Sequence, residues 1–276
     1  MCGIFGILGE KKVAKNDFKL LTLLSRERGK DSSGFLTYNK KYSIKKFNND
    51  IKDVVDEVLP NIENLVIGHS RLITNSTPDN QPILRDTVAC IHNGIIVNYE
   101  EIFLKFKLEK KLQIDTEIIP VLVNYYLKKN YSLRQLIDRI LDDCEGIICC
   151  AVVIPKLGKL LLFSNNGSLY GGKKNENYYF ASEKYFLNQL NCEKIHQISK
   201  KILDIPKSEE ITVDLEDKIQ KRKDFVPALS KNFHLEKLLL YEDYQLARCS
   251  KCILPSTMPF IKFDDKGVCN YCNNYK

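Results

Sequence analysis

The second residue of the chain, Cys2, carries two groups that could act together in catalysis. Removal of the initiator methionine, which a small second residue permits, would give Cys2 a free α-amine beside its thiol. A thiol has an unperturbed pKa of about 8.5 and an α-amine one of about 7.7–8.0. The amine could therefore act as the base for its own sulfur nucleophile, without a separate histidine. A small residue that begins a buried strand would also fit this position, and position alone leaves both interpretations open.

Four further cysteines have the spacing of metal ligands. They form the pattern Cys-x2-Cys-x16-Cys-x2-Cys, made by Cys249, Cys252, Cys269 and Cys272. Two such pairs can place four thiolates around one tetrahedral zinc ion, and a site closed by four sulfurs is structural and not catalytic. The segment 248–276 is too short for a core of its own. Bound Zn²⁺ would then supply most of its folding free energy, on the order of 10 kcal/mol. The alternative is four unpaired thiols.

Composition excludes several classes of protein. The 276 residues are 44% hydrophobic and 28% charged, with a net charge of +7. No apolar run approaches the roughly 18 residues of a membrane span. Ten cysteines are too few for a disulfide scaffold, and the N-terminus lacks the pattern of a secretory leader, so we expect a reducing cytoplasm. Five basic against two acidic residues in 248–276, with few aromatic residues, argue against a nucleic-acid partner.

Many strands and few, clustered helices surround these chemical groups. Apolar spacing predicts helices over 18–28, 115–128 and 133–141, with Asp115 or Thr116 as the cap of the second. Strands are predicted over segments that are short and rich in branched apolar residues: 2–8, 34–38, 64–69, 88–98, 147–154, 159–163, 178–181 and 211–214. This order is typical of an α+β layered domain and not of alternating βαβ units.

The pattern of residue types in the sequence changes after Val226-Pro227. An amphipathic pattern over 233–247 predicts one connecting helix, and the chain then becomes short and rich in cysteine. We therefore expect a main domain over 1–226, a connecting helix or linker over 227–247 and a zinc-binding segment over 248–276.

Several short motifs, which follow one another in a fixed order along the chain, resemble those of a known protein family. They are MCGIFG at 1–6, RGKDSSG at 28–34, GHSRLIT at 68–74, HNGIIVN at 92–98 and IDTE at 114–117, followed by NNGSLYGG at 165–172 and YFASE at 179–183. Together they resemble the class II glutamine amidotransferase domain, an N-terminal-nucleophile hydrolase, over about residues 2–225. The resemblance implies a four-layer αββα sandwich of two antiparallel sheets. It also implies that L-glutamine is hydrolysed to glutamate and ammonia through a thioester on Cys2.

The resemblance assigns further roles near the reacting carbonyl. Asn93 would supply its side-chain amide and Gly94 its backbone N–H to an oxyanion hole. Glycine suits that role because a donor N–H must approach the carbonyl without an interfering Cβ. Without the resemblance, Asn93-Gly94 between two apolar runs predicts a tight hairpin turn. His69 and His92, each inside a strand, are interpreted as structural.

The two ends of a free amino acid would be held by charged residues. By resemblance, Arg71 grips the α-carboxylate with help from Thr74, and Asp115 pairs with the α-ammonium group. Without the resemblance, Arg71 would be interpreted as a surface charge and Asp115 as a helix cap. Arg28 and Asp31 are expected to order the pocket.

The cysteine-rich tail has its own resemblance. The segment 248–272 is similar to the opening of N-acetyl sugar amidotransferases, where it precedes an ATP pyrophosphatase domain. The sequence contains no SGGxDS-type phosphate loop. We therefore expect ammonia to pass to a separate or missing ATP-dependent synthetase for the amidation of a sugar. Either the synthetase is a separate polypeptide, or this chain is truncated or split.

Two alternatives stay open for the whole chain. One is a truncated asparagine-synthetase-like glutaminase, which the fragments at 71–73 and 80–82 (Asn-Gln-Pro) resemble, although the zinc pattern argues against it. The other is a non-catalytic scaffold that docks a partner through the zinc tail.

Overall fold

The structure, a computed structural model, describes residues 2–9, 12–72, 79–216 and 247–275. The chain divides into two compact units, Met1–Lys221 and Arg222–Lys276, and each is described by itself. Thr74, the proposed boundary at 226–227 and nearly all of the expected helix over 233–247 lie outside the described residues. Among the described residues, no helix is both long enough and apolar enough to cross a membrane.

The first unit is built from short strands and helices. The described strands are β1 (Gly3–Gly9), β2 (Ser32–Asn39), β3 (Lys41–Phe47), β4 (Leu65–Arg71), β5 (Ile83–Arg85), β6 (Val88–His92), β7 (Ile95–Ile96), β8 (Gly146–Ile147), β9 (Cys149–Ile154), β10 (Lys159–Ser164), β11 (Tyr170–Lys174), β12 (Asn177–Ala181), β13 (Glu193–Gln197), β14 (Lys200–Asp204) and β15 (Ile211–Glu216). The described helices are α1 (Lys15–Arg26), α2 (Ile51–Val58), α3 (Tyr99–Lys105), α4 (Ile118–Lys128), α5 (Leu133–Asp143) and α6 (Lys184–Gln189).

These strands form two main sheets. The larger has eight strands in the order β13-β11-β12-β1-β4-β2-β3-β15, and the smaller has five in the order β14-β10-β9-β6-β5. All pairs in both sheets are antiparallel except β15 with β3, which is parallel. A separate two-stranded ribbon pairs β7 with β8.

Alternation along the strands explains why the sheets stack. Successive side chains of a strand point to opposite faces. In β4, Leu65 and Ile67 pack with Ala89 and Ile91 of the smaller sheet, so these faces form a core between the two sheets. Val66, between them in sequence, belongs to a second core on the outer face of the larger sheet.

Helices close the two outer faces. The second core packs the larger sheet against α1, α2 and α6, and a third core packs the smaller sheet against α3, α4 and α5. Local signals support these helices: Ser132 and Gln135 form a reciprocal capping box at the start of α5. The order helix, sheet, sheet, helix confirms the predicted four-layer αββα fold.

Two predicted elements are wrong in detail near the Asn-Gly motif. The strand predicted over 88–98 is broken, because the chain leaves β6 at His92 and re-enters a different sheet as β7. The helix predicted from Asp115 begins at Ile118, after a 3₁₀ turn over Asp115–Glu117. The reason is that the Asp115 carboxylate accepts hydrogen bonds from the backbone of Ile96 and Thr116 and does not cap α4.

The described part of the second unit, residues 247–275, has little regular structure. It contains isolated bridges between Arg248 and Pro255 and between Phe263 and Cys269, and one short helix, α7 (Asn270–Asn274). Cys249 and Cys269 are its only fully buried residues among those described. A segment without an apolar core needs another source of folding free energy.

Candidate active site

Cys2 lies immediately before β1, beside the end of β4. The antiparallel register pairs Gly3 with Ser70 and so brings the start of one strand to the end of the other. Cys2 Sγ lies 3.7 Å from the carbonyl oxygen of Leu72. The cysteine is partly buried and forms no disulfide. Burial raises the pKa of its thiol, and the nearby guanidinium groups of Arg71 and Arg28 oppose that effect.

The backbone around Cys2 is fixed by residues from distant motifs. Arg28 Nε donates a hydrogen bond to the Cys2 carbonyl oxygen at 3.1 Å, and the same guanidinium forms an ion pair with Glu183. Ser182 accepts from the Ile4 N–H at 3.3 Å through its hydroxyl and donates its own N–H to the Ile4 carbonyl at 2.9 Å. The YFASE motif thus holds the first residues of β1. The sequence alone assigns no role to Glu183, although the YFASE motif that contains it was the available signal.

Arg71 is buried at the end of β4, so the alternative of a surface charge is wrong. Its guanidinium donates a hydrogen bond to the carbonyl oxygen of Asp79. Burial lowers the pKa of Arg71, and the charges of Cys2, Asp79, Asp115 and Asp31 raise it. The structure therefore brings the Cys2 thiol and the Asp115 carboxylate within electrostatic range of one buried guanidinium.

Asp115 is buried with both carboxylate oxygens engaged. Oδ2 accepts from the Ile96 N–H at 2.9 Å and Oδ1 from the Thr116 N–H at 2.9 Å. A carboxylate has about four acceptor positions, so each oxygen can still accept a second hydrogen bond. The bond to Ile96 ties Asp115 to the strand that follows Asn93-Gly94.

Asn93 and Gly94 do not form a hairpin turn, so that alternative is wrong. β6 pairs with β9 and β5, whereas β7 pairs with β8. The two residues join the smaller sheet to the ribbon, and the Asn93 N–H donates to the Cys149 carbonyl at 2.8 Å.

The side chain of Asn93 is buried with unsatisfied polar atoms. Neither its Oδ1 nor its Nδ2 has a hydrogen-bond partner among the described residues. Buried amides are almost always bonded, so an exception calls for a ligand, a water or a function. At Gly94, an added Cβ would lie 1.9 Å from the Ile147 carbonyl oxygen, so that only glycine fits.

The two histidines are buried and differ in their surroundings. His69 has no partner at either ring nitrogen among the described residues, and burial, followed by Arg71 and His92, lowers its pKa to about 3. His92 contacts Thr116 and Ile147 through its ring. Burial lowers the pKa of His92, although the Asp115 carboxylate raises it.

One cavity of the first unit lies apart from these residues. A cavity of about 610 Å³ lies between α5 and β14, and none of the residues described above lines it. The site is defined instead by the charged and unsatisfied groups at the ends of β4 and β6.

The four tail cysteines converge. Their Sγ atoms all lie within 4.8 Å of one another, with Cys249–Cys272 at 4.0 Å and Cys252–Cys269 at 3.5 Å. Sulfurs around a tetrahedral zinc ion, at about 2.3 Å from the metal, would be roughly 3.8 Å apart. The donor set and the spacing therefore fit a metal ion.

Backbone groups around Cys249 favour its thiolate. Burial raises the pKa of its thiol, but N–H donors from Cys252, Cys269 and Lys251, at 3.2–3.4 Å, lower it to about 6. Thiolates are the form that binds zinc.

Comparisons with known proteins agree with this geometry. Residues 69–189 match the family described as glutamine amidotransferase domain. This chain carries a class II glutamine amidotransferase domain. A glutamine–fructose-6-phosphate aminotransferase of Bradyrhizobium diazoefficiens is 31% identical over 181 residues, covering 61% of this chain and 29% of that protein. An amidophosphoribosyltransferase of Pasteurella multocida is 27% identical, covering 72% of this chain and 44% of that protein.

A solved structure supports the fold of this glutamine amidotransferase domain. The glutamine phosphoribosylpyrophosphate amidotransferase from B. subtilis superposes with a TM-score of 0.62 at 22% identity, over 74% of this chain and 47% of that chain. The domain thus spans about a third of the length of its aminotransferase relatives and about half of that structure.

Proposed function

We propose that this chain hydrolyses L-glutamine to L-glutamate and ammonia, with Cys2 as the nucleophile after Met1 is removed. The observation that carries the proposal is the end of β4, where the carbonyl oxygen of Leu72 lies 3.7 Å from Cys2 Sγ and directly follows the buried Arg71. A buried guanidinium and a buried carboxylate, Arg71 and Asp115, suit the α-carboxylate and the α-ammonium group of a free amino acid.

The reaction begins with proton transfer. The α-amine of Cys2 accepts the thiol proton, and the thiolate adds to the side-chain amide carbon of glutamine. The resulting ammonium returns a proton to the amide nitrogen as the C–N bond breaks, which releases ammonia and leaves a γ-glutamyl thioester. Water then adds to the thioester, the C–S bond breaks, and glutamate leaves with the thiol restored.

Two donors stabilise the tetrahedral intermediate. The Asn93 Nδ2 and the Gly94 N–H supply hydrogen bonds to the oxyanion. The unsatisfied amide of Asn93 supports this role, because a buried donor without a partner can bind an incoming oxygen without first breaking a bond.

Charged groups orient the substrate. Arg71 binds the α-carboxylate, Asp115 accepts hydrogen bonds from the α-ammonium group, and Thr74 assists Arg71. The spare lone pairs of the Asp115 oxygens support its role, because its two backbone bonds leave room for further donors.

The tail binds one structural Zn²⁺ ion through Cys249, Cys252, Cys269 and Cys272. The distances between the sulfurs and the N–H donors to Cys249 support this assignment. The ion supplies folding free energy to a segment whose only buried described residues are two cysteines.

Ammonia passes to an ATP-pyrophosphatase-type synthetase, as a subunit or a domain, and aminates a sugar. The aminotransferase relatives, which by their name act on fructose-6-phosphate, support an acceptor of this class. The asparagine-synthetase-like glutaminase and the non-catalytic scaffold are the competing proposals.

Glutamate release tests the central reaction. The purified chain, Cys2→Ala and Cys192→Ala are compared, the last removing a partly buried thiol outside the site. We expect activity in the wild type and in Cys192→Ala and none in Cys2→Ala, with intact mass showing loss of Met1. Equal rates for wild type and Cys2→Ala would refute the mechanism, and retained Met1 would favour the scaffold.

A further inference from the structure

The Asn-Gln-Pro fragment at 80–82 has no role in the reaction so far, yet Gln81 is buried beside the oxyanion donors. Gln81 Oε1 accepts a hydrogen bond from the His92 backbone N–H at 2.6 Å. Its Nε2 donates to Thr116 Oγ1 at 3.1 Å. One side chain therefore joins the end of β6, immediately before Asn93, to the 3₁₀ turn that contains Asp115.

The ring of His92 completes this connection in one tautomer. Its Nε2 lies 3.0 Å from the Ile147 carbonyl oxygen, which can only accept, so Nε2 carries the hydrogen. Because burial lowers the pKa of His92, the ring is neutral and Nδ1 is an acceptor. The Thr116 hydroxyl, 3.3 Å away, then donates to Nδ1 and receives the Gln81 amide. The hydrogen bonds run in one direction from Gln81 through Thr116 and His92 to Ile147.

The last acceptor of this chain of hydrogen bonds packs against Gly94. The Ile147 carbonyl oxygen would lie 1.9 Å, and His92 Nε2 2.7 Å, from a Cβ added to Gly94. Ile147 also pairs with Ile95 in the ribbon. The position of the Ile147 carbonyl therefore decides where the Gly94 backbone can lie.

The other end of the network is anchored in the larger sheet. Asn80 Nδ2 donates to the Ser33 and Phe47 carbonyls at 2.7 and 3.1 Å. Its Oδ1 accepts from the Gln81 N–H at 2.8 Å. The network thus links the larger sheet, whose strand β1 begins beside Cys2, to the smaller sheet, whose strand β6 ends immediately before Asn93.

We propose that Gln81, Thr116 and His92 are positioning residues that hold the Asn93 and Gly94 donors in register with Cys2. This inference rests on the proposed glutaminase function. A donor that is positioned only for the oxyanion contributes to kcat and little to KM.

Thr116→Val and Gln81→Glu test the network. The first keeps the shape of the side chain and removes the hydroxyl, and the second keeps the acceptor for His92 but removes the donor to Thr116. We expect each to lower kcat on the order of 10²-fold, as for a catalytic group displaced by about 1 Å, while KM for glutamine stays nearly constant. Thr116→Ser, which restores the hydroxyl, should recover most of the rate.

Thr22→Val is the matched control. Thr22 is also buried, and its hydroxyl donates to the Phe18 carbonyl at 2.9 Å within α1, outside the network. Its loss should leave kcat unchanged. Nitrogen NMR of ring-labelled histidine provides a second readout: the wild type should show the Nε2–H tautomer of His92, and Thr116→Val should shift its Nδ1 resonance.

The outcomes separate the two proposals. Cys2-dependent activity with unchanged kcat in folded Thr116→Val and Gln81→Glu would overturn the positioning role alone. Absence of Cys2-dependent activity in the wild type would overturn the proposed function and this inference together. An equal fall in kcat in Thr116→Val and Thr22→Val would also overturn the positioning role, because general destabilisation would then explain both.

Discussion

Cys2 Sγ lies 3.7 Å from the carbonyl oxygen of Leu72, although 70 residues separate the two in sequence. The contact follows from the register of β1 with β4, which opposes Gly3 and Ser70. Because Leu72 directly follows Arg71, the same register sets the thiol beside the guanidinium that is proposed to bind substrate. The reactivity of the thiol should therefore depend on charge from neighbouring strands and loops.

Removing positive charge near Cys2 should slow its alkylation. Arg28 lowers the pKa of the Cys2 thiol, in opposition to burial, so Arg28→Gln should raise that pKa and reduce the thiolate fraction at pH 7.5. We expect the curve of iodoacetamide reaction rate against pH to move to higher pH, measured by mass spectrometry of the N-terminal peptide. Lys30→Gln removes an exposed charge nearby and should leave the curve in place. A curve unchanged in Arg28→Gln would contradict the electrostatic argument.

Asn93→Ala should remove one oxyanion donor. Loss of such a donor typically lowers kcat by about 10²–10³-fold. KM should change little, because Arg71 and Asp115 are the residues proposed to hold the bound glutamine. Steady-state glutamate release measures both constants. Asn188→Ala, an exposed asparagine of α6, is the control and should behave as wild type. A larger change in KM than in kcat would instead place Asn93 in substrate binding.

Gly94→Ala should displace the ribbon. A Cβ at 1.9 Å from the Ile147 carbonyl requires backbone movement, and overpacking of this kind typically costs about 1–3 kcal/mol. We expect a lower midpoint in urea unfolding together with loss of activity. At Gly172 the nearest atom to an added Cβ is the Cys192 Cβ at 3.0 Å, so Gly172→Ala should be milder. Equal unfolding midpoints for wild type and Gly94→Ala would contradict this prediction, because the ribbon would then accommodate the added methyl group without loss of stability.

The tail should contain one zinc ion per chain. Cys269→Ser removes a buried ligand and should abolish bound zinc, measured by elemental analysis of the purified protein. Hydrogen exchange should then lose protection in 247–275, while glutaminase activity should persist because the tail takes no part in the chemistry. Cys192→Ser is the matched control and should keep its zinc. Absence of zinc in the wild type, even after reconstitution with added metal, would reject the site.

Acid should destabilise the fold through His69. Its pKa is about 3 when folded, against 6.5 as the ordinary value, so between these pH values the unfolded state binds a proton that the native state does not. Stability should therefore fall as pH falls from 6.5, by up to about 1.4 kcal/mol per pH unit. The free energy of unfolding, measured in urea at several pH values from 5.0 to 6.5, should change less with pH in His69→Gln than in the wild type. The pH dependence of Asn188→Gln, which alters an exposed side chain that does not titrate, should match wild type.

The motifs allowed the places of the candidate site residues in the fold to be predicted, because these residues lie at strand ends. Arg71 ends β4 and Asn93 follows β6, so short apolar runs fixed their places along the chain. The cysteine spacing likewise predicted the cluster in the tail. In each case the information is local, since residue type and spacing determine a strand, a turn or a pair of ligands.

The partners of these residues could not be predicted. Nothing near Arg28 in sequence indicates Glu183, and nothing near His92 indicates Thr116 or Gln81. Asn93-Gly94 has the local signal of a hairpin, yet β7 pairs with β8, some 50 residues away. Such pairings are settled by which faces become buried together.

The sequence by itself predicted the types of most elements, the layered class of the fold and the cluster of four cysteines in the tail. The tertiary structure decided which groups surround Cys2, which amide of the site is left without a partner, and how Gly94 is held. The physical reason is that hydrogen bonds and charges act over a few ångströms in space. The register between distant strands sets those distances, and it is fixed only when the cores between the layers close.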